Sequence, residues 1–348
     1  MTSTLAAPPP STRRAWALPV LAVALITACL AAISIGAFTV AFPDVLGALG
    51  RALTGQPLST ADAVVVDIRA PRVVLAVVVG ACLAAAGVIM QGIFANPLAE
   101  PGLVGVSSGA AVAAVVAIVL GLTAVGFWVL PLAAVVGGLG VTAAVYLLAR
   151  VGGRTEVLTL ILTGVAVNAF AGAVIGLLMS ISDDAELRSI TFWNLGSLSA
   201  ATWSSVVLVL PLALLGLALA PLLSRTLDLL ALGERGAAHL GVDVERTRSI
   251  AILLTAMLTA AAVAVAGIVL FVGLVVPHAL RLVLGPAHRL LLPAAALGGA
   301  TLLVLADLLA RTVVAPREIP LGVLTALIGS PVFFWLLRRE HKRRGAWA

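Results

Sequence analysis

Apolar residues fall along this chain in long blocks, separated by shorter polar or Pro/Gly-bearing intervals, from Trp16 to Leu337. A membrane-spanning helix needs about 20 predominantly apolar residues. The blocks predict helices at 16–42, 71–92, 103–121, 125–149, 157–180, 201–222, 249–272, a short one at 277–285, then 290–312 and 320–337. The intervals 43–70 and 181–200 are the longest on one side, and 223–248 is the longest on the other. The pattern predicts an all-α, polytopic membrane protein of about ten transmembrane helices. An even number of spans puts both termini on one side.

Composition narrows the class. Of 348 residues, 62% are hydrophobic and only 10% charged, with a mean hydropathy of +1.20. Soluble domains run about 45–50% apolar and about 25% charged, and a compact soluble fold still needs a solvated shell. Soluble, secreted and disordered classes are excluded. The net charge of +6 reflects 21 basic against 15 acidic residues. In a soluble protein that surplus would suggest nucleic acid. Here the positive-inside rule accounts for it. With both termini cytoplasmic, most basic residues fall inside, including Arg13, Arg14, Arg150, Arg154, Arg225, Arg235, Arg246, Arg248 and Lys342. Arg51, Arg69, Arg72, Arg188, Arg311 and Arg317 fall outside, where Asp183, Asp184, Glu186 and Glu318 also lie. Residues 1–15 read as a cytoplasmic tail, 16–337 as the transmembrane domain with a cytoplasmic loop at 223–248, and 338–348 as a basic cytoplasmic tail. Cys29 and Cys82 both sit in apolar runs without CxxC spacing, which indicates neither a disulfide framework nor a metal site.

An internal echo runs through the chain. Ala86-Gly87-Val88-Ile89-Met90 returns as Ala266-Gly267-Ile268-Val269-Leu270, and Pro97 and Gly105 match Pro277 and Gly285 at the same offset. Five spans separate the copies, so the second runs in the opposite direction. Inverted repeats of this kind are a transporter signature.

Several chemistries are missing. A P-loop needs a Lys within GxxxxGK[ST], and the single lysine, Lys342, lies at the end of the chain. There is no HExxH, and His239, His278, His288 and His341 have no metal-ligand spacing. Gly105-Val106-Ser107-Ser108-Gly109 matches GxSxG in letters, but it opens an apolar helix and reads as a small-residue packing face. No catalytic residue is indicated. An intramembrane charge marks an ion pathway by default. Asp307 is the candidate, and an ion-coupled secondary transporter is the competing class. Asp307 stands four residues before Arg311, however, so the two can pair on one helical face.

The most specific segments are Arg69-Ala70-Pro71-Arg72, Gly80 to Gly92, and Asn96-Pro97-Leu98-Ala99-Glu100-Pro101-Gly102-Leu103 running on to Ala110. Leu162-Thr163-Gly164, Trp193-Asn194-Leu195-Gly196-Ser197, Leu232-Gly233-Glu234, Gly273 to His278 and Glu318-Ile319-Pro320-Leu321-Gly322 follow. In this order, from about residue 65 to 337, they closely resemble the permease family of ATP-binding-cassette importers for iron chelates, heme and cobalamin. The resemblance implies a homodimer in the bacterial inner membrane, two cytoplasmic ATPase subunits and an external substrate-binding protein. It implies no covalently bound cofactor, with ATP and Mg²⁺ held by the ATPase subunits.

Within 223–248, Asp228 can cap a short helix through Leu229, Leu230 and Leu232, with Gly233 as a turn. A second helix can run from Glu234 through Ala237 to Leu240, ended by Gly241. In the family this loop corresponds to the coupling helices received by the ATPase. Outside, Pro71 suits a first helical turn and would place Arg69 and Arg72 at a positive N-terminus. The resemblance makes these arginines, with Arg311, a dock for acidic residues of the binding protein. Asn96, Pro97 and Pro101 on the inner side, and Pro277 on the outer, are expected to break helices as gate elements. Thr163, Gly164 and Asn168 lie on the helix that lines the pathway in the family, and Met90 and Gln91 join the gate set. Arg188 is an outer-cavity candidate. For the substrate, Leu187 to Leu198 together with Glu100 to Leu103 resemble the heme branch most; ferric siderophore and cobalamin are the alternatives.

Overall fold

The computed structural model describes residues 12–36, 40–151 and 154–345 of the chain. The first helix, α1 (Thr12–Ser34), is followed by the short α2 (Phe42–Thr54) and α3 (Thr60–Ala63). A π-helical turn, Val64–Arg69, leads without interruption into α4 (Ala70–Ile93). Next come a 3₁₀ turn at Pro101–Val104, α5 (Val106–Val119) and α6 (Val129–Leu148). Two two-residue strands, β1 (Arg150–Val151) and β2 (Arg154–Thr155), pair antiparallel with Arg150 opposite Thr155. They are the one departure from the all-α expectation among the described residues. Then follow α7 (Val157–Ile181), α8 (Asp184–Leu195), α9 (Trp203–Leu219), α10 (Ser224–Leu230), α11 (Glu234–His239), α12 (Val244–Ala266), α13 (Val272–Leu284), α14 (His288–Thr312) and α15 (Leu321–Gly345).

Among the described residues, seven helical runs are long and apolar enough to cross a membrane, and Val106–Val119, Val272–Leu284 and Leu321–Leu336 are shorter apolar helices. Together they answer to the ten expected spans. The direction of the chain alternates so that α1 begins and α15 ends on one face, here the terminal face; the opposite one is the distal face.

α4 is the axis of the molecule. Almost its whole length is buried, against α14, α12, α13 and α9. Its run of Gly, Ala, Cys and Val explains this. Between helices in lipid the attraction comes from close packing rather than from water exclusion, and small side chains let backbones approach. Gly80 faces Gly299 of α14 so closely that a Cβ on either would overlap the other's carbonyl oxygen. The same device joins α5 to α6 through Gly109 and Gly137, as the Gly105–Gly109 reading expects.

Several boundaries differ from expectation, each for a local reason. The interval 43–70 is largely helical. Ser59 and Asp62 form a capping box that starts α3, so Pro71 lies inside a continuous helix and not in its first turn. The π-turn accommodates it. The Ala70 amide reaches back to the Val65 carbonyl, and Pro71 has no N–H to offer. The Val66 carbonyl accepts instead from the Trp203 indole of α9 at 2.9 Å. The interval 181–200 contains α8, opened by a second capping box, Asp183 with Glu186.

The span expected at 249–272 ends at Ala266, because Gly267 and Phe271 both adopt left-handed φ of 66°. Pro277 does not break a helix as expected; it sits within α13. The repeated pentapeptide is thus helical at 86–90 and mostly link at 266–270. α4 and α12 nonetheless run in opposite directions, and Gly105 and Gly285 share positive φ values of 78° and 87°. At the chain ends, helix extends into both expected tails, from Thr12 and as far as Gly345. Residues 1–11 and 346–348 lie outside the described part.

Candidate functional site

On the terminal face, α10 and α11 make the two-helix knob that the sequence suggests, hinged at Gly233 (φ 96°) and closed at Gly241 (φ 84°). Ala237 is buried and seats α11, whereas Leu232 and Leu240 project into the surroundings. Among the described residues nothing covers this apolar pair. Asp228 departs from its expected role. It lies inside α10, and its Oδ1 accepts from the His288 amide at 2.9 Å and from His288 Nδ1 at 2.7 Å. It therefore caps the N-terminus of α14 across 60 residues of sequence, where carboxylate and helix dipole attract.

Beside the knob lies a cleft of about 880 Å³, walled by Thr155 to Leu158 on one side and by Glu234, Arg235 and Ala238 on the other. Its floor holds Glu245 and Arg248. Glu245 accepts from the Thr155 amide at 3.0 Å, from the Thr155 hydroxyl, and from the Tyr146 hydroxyl at 3.0 Å. Arg150 lies over the Tyr146 ring, 5.8 Å from its centroid. None of this network was singled out in the sequence, because its members are scattered over about a hundred residues of chain.

On the distal face, Arg69, Arg72 and Arg311 come together, but buried rather than displayed. Arg72 donates from Nε to both Asp307 oxygens, at 3.0 and 3.1 Å, and grips Glu318 through Nη1 and Nη2 at 2.9 Å each. Arg311 Nε stands 3.6 Å from Asp307, the pairing that the four-residue spacing suggests. Arg69 donates to the Ile33 and Ser34 carbonyls at 2.7 and 3.0 Å, and Arg311 to that of Ala32. The two guanidiniums so cap the C-terminus of α1, where cations meet the negative end of the dipole. Glu318, the half-exposed member in the loop before α15, is held below the usual glutamate range, first of all by its hydrogen bonds from Arg72. The picture of Arg69 and Arg72 as surface cations at a free helix end is corrected accordingly. Asp307, 1% exposed and held by two arginines, is a member of this cluster.

The expected gate residues divide into two groups. Met90 and Gln91 are buried in the middle of the chain's own core, Gln91 Nε2 donating to the Leu274 carbonyl of α13 at 3.2 Å. Asn96 does break helix as expected. Its Oδ1 accepts from the Leu98 amide at 2.9 Å in the turn that carries Pro97, next to Ala95 at φ 47°. On α7, Gly164 admits the Leu103 carbonyl where any side chain would collide with it. Asn168 accepts from Ser108 Oγ at 2.6 Å and donates to the Gly102 carbonyl at 3.4 Å. Thr163 is half-buried beside them. This part of α7 therefore rests on the 3₁₀ turn after Pro101. Arg188 is exposed on α8.

The chain matches the FecCD transport family over residues 24–339. It belongs to that family. It is 48% identical over 285 residues to the hemin transport system permease protein HmuU of Yersinia pestis, covering 80% of this chain and 84% of that one. It is 46% identical over 284 residues to the cobalamin import system permease protein BtuC of Halobacterium salinarum, covering 82% and 76%. Its fold superposes on a metal-chelate type ABC transporter solved in an inward-facing conformation, with a TM-score of 0.83, 35% identity and coverage of 92% and 98%. This FecCD-family chain is a multi-pass inner-membrane permease of the ABC-importer class.

Proposed function

We propose that this chain is the transmembrane subunit of an importer that moves hemin from an external binding protein into the cytoplasm, with both of its own termini cytoplasmic. Two copies form the pathway between them, and two ATPase subunits bind ATP and Mg²⁺ and seat the knobs of α10 and α11. The observation that carries the reading is the knob itself. Leu232 and Leu240 are exposed apolar side chains on a built two-helix element, in a chain whose sequence has no P-loop. A separate energy-supplying partner fits both facts. Asp307, locked among arginines, gives no support to an ion relay.

On the distal face, the grouping of Arg69, Arg72 and Arg311 suits an acidic lobe of the binding protein. On α7, Thr163, Gly164 and Asn168 belong to the pathway wall, and Arg188 faces the outer mouth. Hemin is favoured by the likeness to HmuU and by the Leu187–Leu198 segment. A ferric siderophore is the second choice and cobalamin the third, the latter because BtuC is nearly as similar.

The test is uptake into liposomes that hold the permease with its ATPase and binding protein. Hemin uptake is expected to require ATP and to ignore a protonophore, and the binding protein is expected to carry a heme Soret band. Uptake that persists without nucleotide and collapses with the protonophore would overturn the ABC-driven reading. A binding protein that ignores hemin but retains a ferric siderophore would move the substrate to the second choice.

A further inference from the structure

We infer that Arg248 is a positioning residue that fastens the knob to the foot of α7, so that displacement of α11 is passed to that helix. The inference rests on the reading above, in which α11 meets the ATPase and α7 lines the pathway. The geometry is specific. Arg248 belongs to α12 and is only 5% exposed. One arm of its guanidinium, Nη1, donates to the Thr155 carbonyl at 2.7 Å, and the other, Nη2, donates to the Glu234 carboxylate. Glu234 is the first residue of α11. Thr155 is the last residue of β2, two positions before α7 begins.

A planar guanidinium with donors in a fixed fork holds two acceptors in one relative geometry, which a lysine ammonium cannot do. Thr155 is held a second time: its amide and hydroxyl both donate to Glu245, one turn back on the same helix as Arg248. The foot of α7 is thus clamped to α12 from two sides. Residues of α11 and of the start of α7 line the 880 Å³ cleft together with Arg248, whose guanidinium hydrogen-bonds to both Thr155 and Glu234. A buried charge whose partner is removed is costly, which keeps the three elements moving together when α11 is pushed.

Two measurements test this on the assembled permease–ATPase complex. Spin labels at Leu158→Cys and Ala238→Cys, both exposed on opposite cleft walls, report the separation of α7 and α11 in a Cys29→Ala background. A narrow distance distribution is expected with Arg248. Broadening is expected in Arg248→Gln, and in Glu234→Gln, whose exposed side chain makes loss of fold no concern. Hemin imported per ATP hydrolysed should fall at least tenfold in Arg248→Gln while hydrolysis continues, with partial recovery in Arg248→Lys. A distribution as narrow in both variants as in the parent, or broadening with unchanged import per ATP, would overturn the inference. If the parent complex shows no ATP-driven hemin uptake, the importer reading fails instead, and the distance comparison still decides whether Arg248 joins the two walls.

Discussion

At Arg72 one guanidinium satisfies two carboxylates, and the two are not equivalent. Asp307 lies deep in the helix packing, while Glu318 sits in a loop with its side chain 38% exposed. Acid should act on the second. The Glu318 carboxyl is held below its ordinary value of 4.5 by the Arg72 hydrogen bonds. Its contribution to stability is therefore complete above that value and is lost as pH falls through the lower folded one. We expect Glu318→Gln to lower the melting temperature of the detergent-solubilised protein at neutral pH. The deficit relative to the parent should shrink as pH is taken below 4.5 and through the lower folded value. The three arginines were legible as a group from the sequence. Their intramolecular partners were less so, because Glu318 lies 246 residues from Arg72 and only folding brings them together.

Among the helices, the α4–α14 crossing is the contact with least room to spare. Its tightness comes from two glycines with no side chain between the backbones, and such an overpacked site has nowhere to relax. Gly80→Ala should destabilise the protein by about 1–3 kcal/mol, seen as a lower midpoint in denaturant-dependent unfolding. Gly140→Ala, with open space around its Cβ position on α6, should be neutral by the same measurement. The small-residue content of these helices was plain in the sequence. Which glycine meets which was not, since Gly80 and Gly299 are joined by a crossing and not by a motif. The break at 267–271 was also missed: Gly267 sits in an apolar run, and only the packed end of α8, where a Cβ on Gly267 would collide with the Trp193 carbonyl, shows why a glycine stands there.

Across the whole molecule, the two faces differ in chemical character. The distal face buries its charges in an ion cluster, whereas the terminal face exposes apolar side chains on a knob. Leu232→Glu together with Leu240→Glu should abolish co-purification of the ATPase, because the substitutions put charge where a partner must be dry. The melting temperature should stay unchanged, since both side chains are already exposed. Retention of the ATPase at parental stoichiometry would assign those leucines to some other contact. α7 points the same way: Leu158, Leu162, Val165, Phe170 and Leu177 are all exposed on it, a face fit for lipid or for a second copy.

By itself the sequence determined the class, the multi-spanning helical architecture and the two-helix knob. These depend on apolar block length, on turn residues such as Gly233 and Gly241, and on charge bias between loops, all of which are local along the chain. The capping boxes at Ser59–Asp62 and Asp183–Glu186 are local too, and they open α3 and α8 within the intervals 43–70 and 181–200. The tertiary structure decided the rest. It turned Arg72 from a displayed cation into the centre of a buried cluster, sent Asp228 to cap α14 rather than its own helix, and set Arg248 between α11 and the foot of α7. Each of these depends on a hydrogen bond between separate elements. A charged group excluded from water must find its partner in whichever helix packing brings near, and the linear pattern of residues does not record which helix that is.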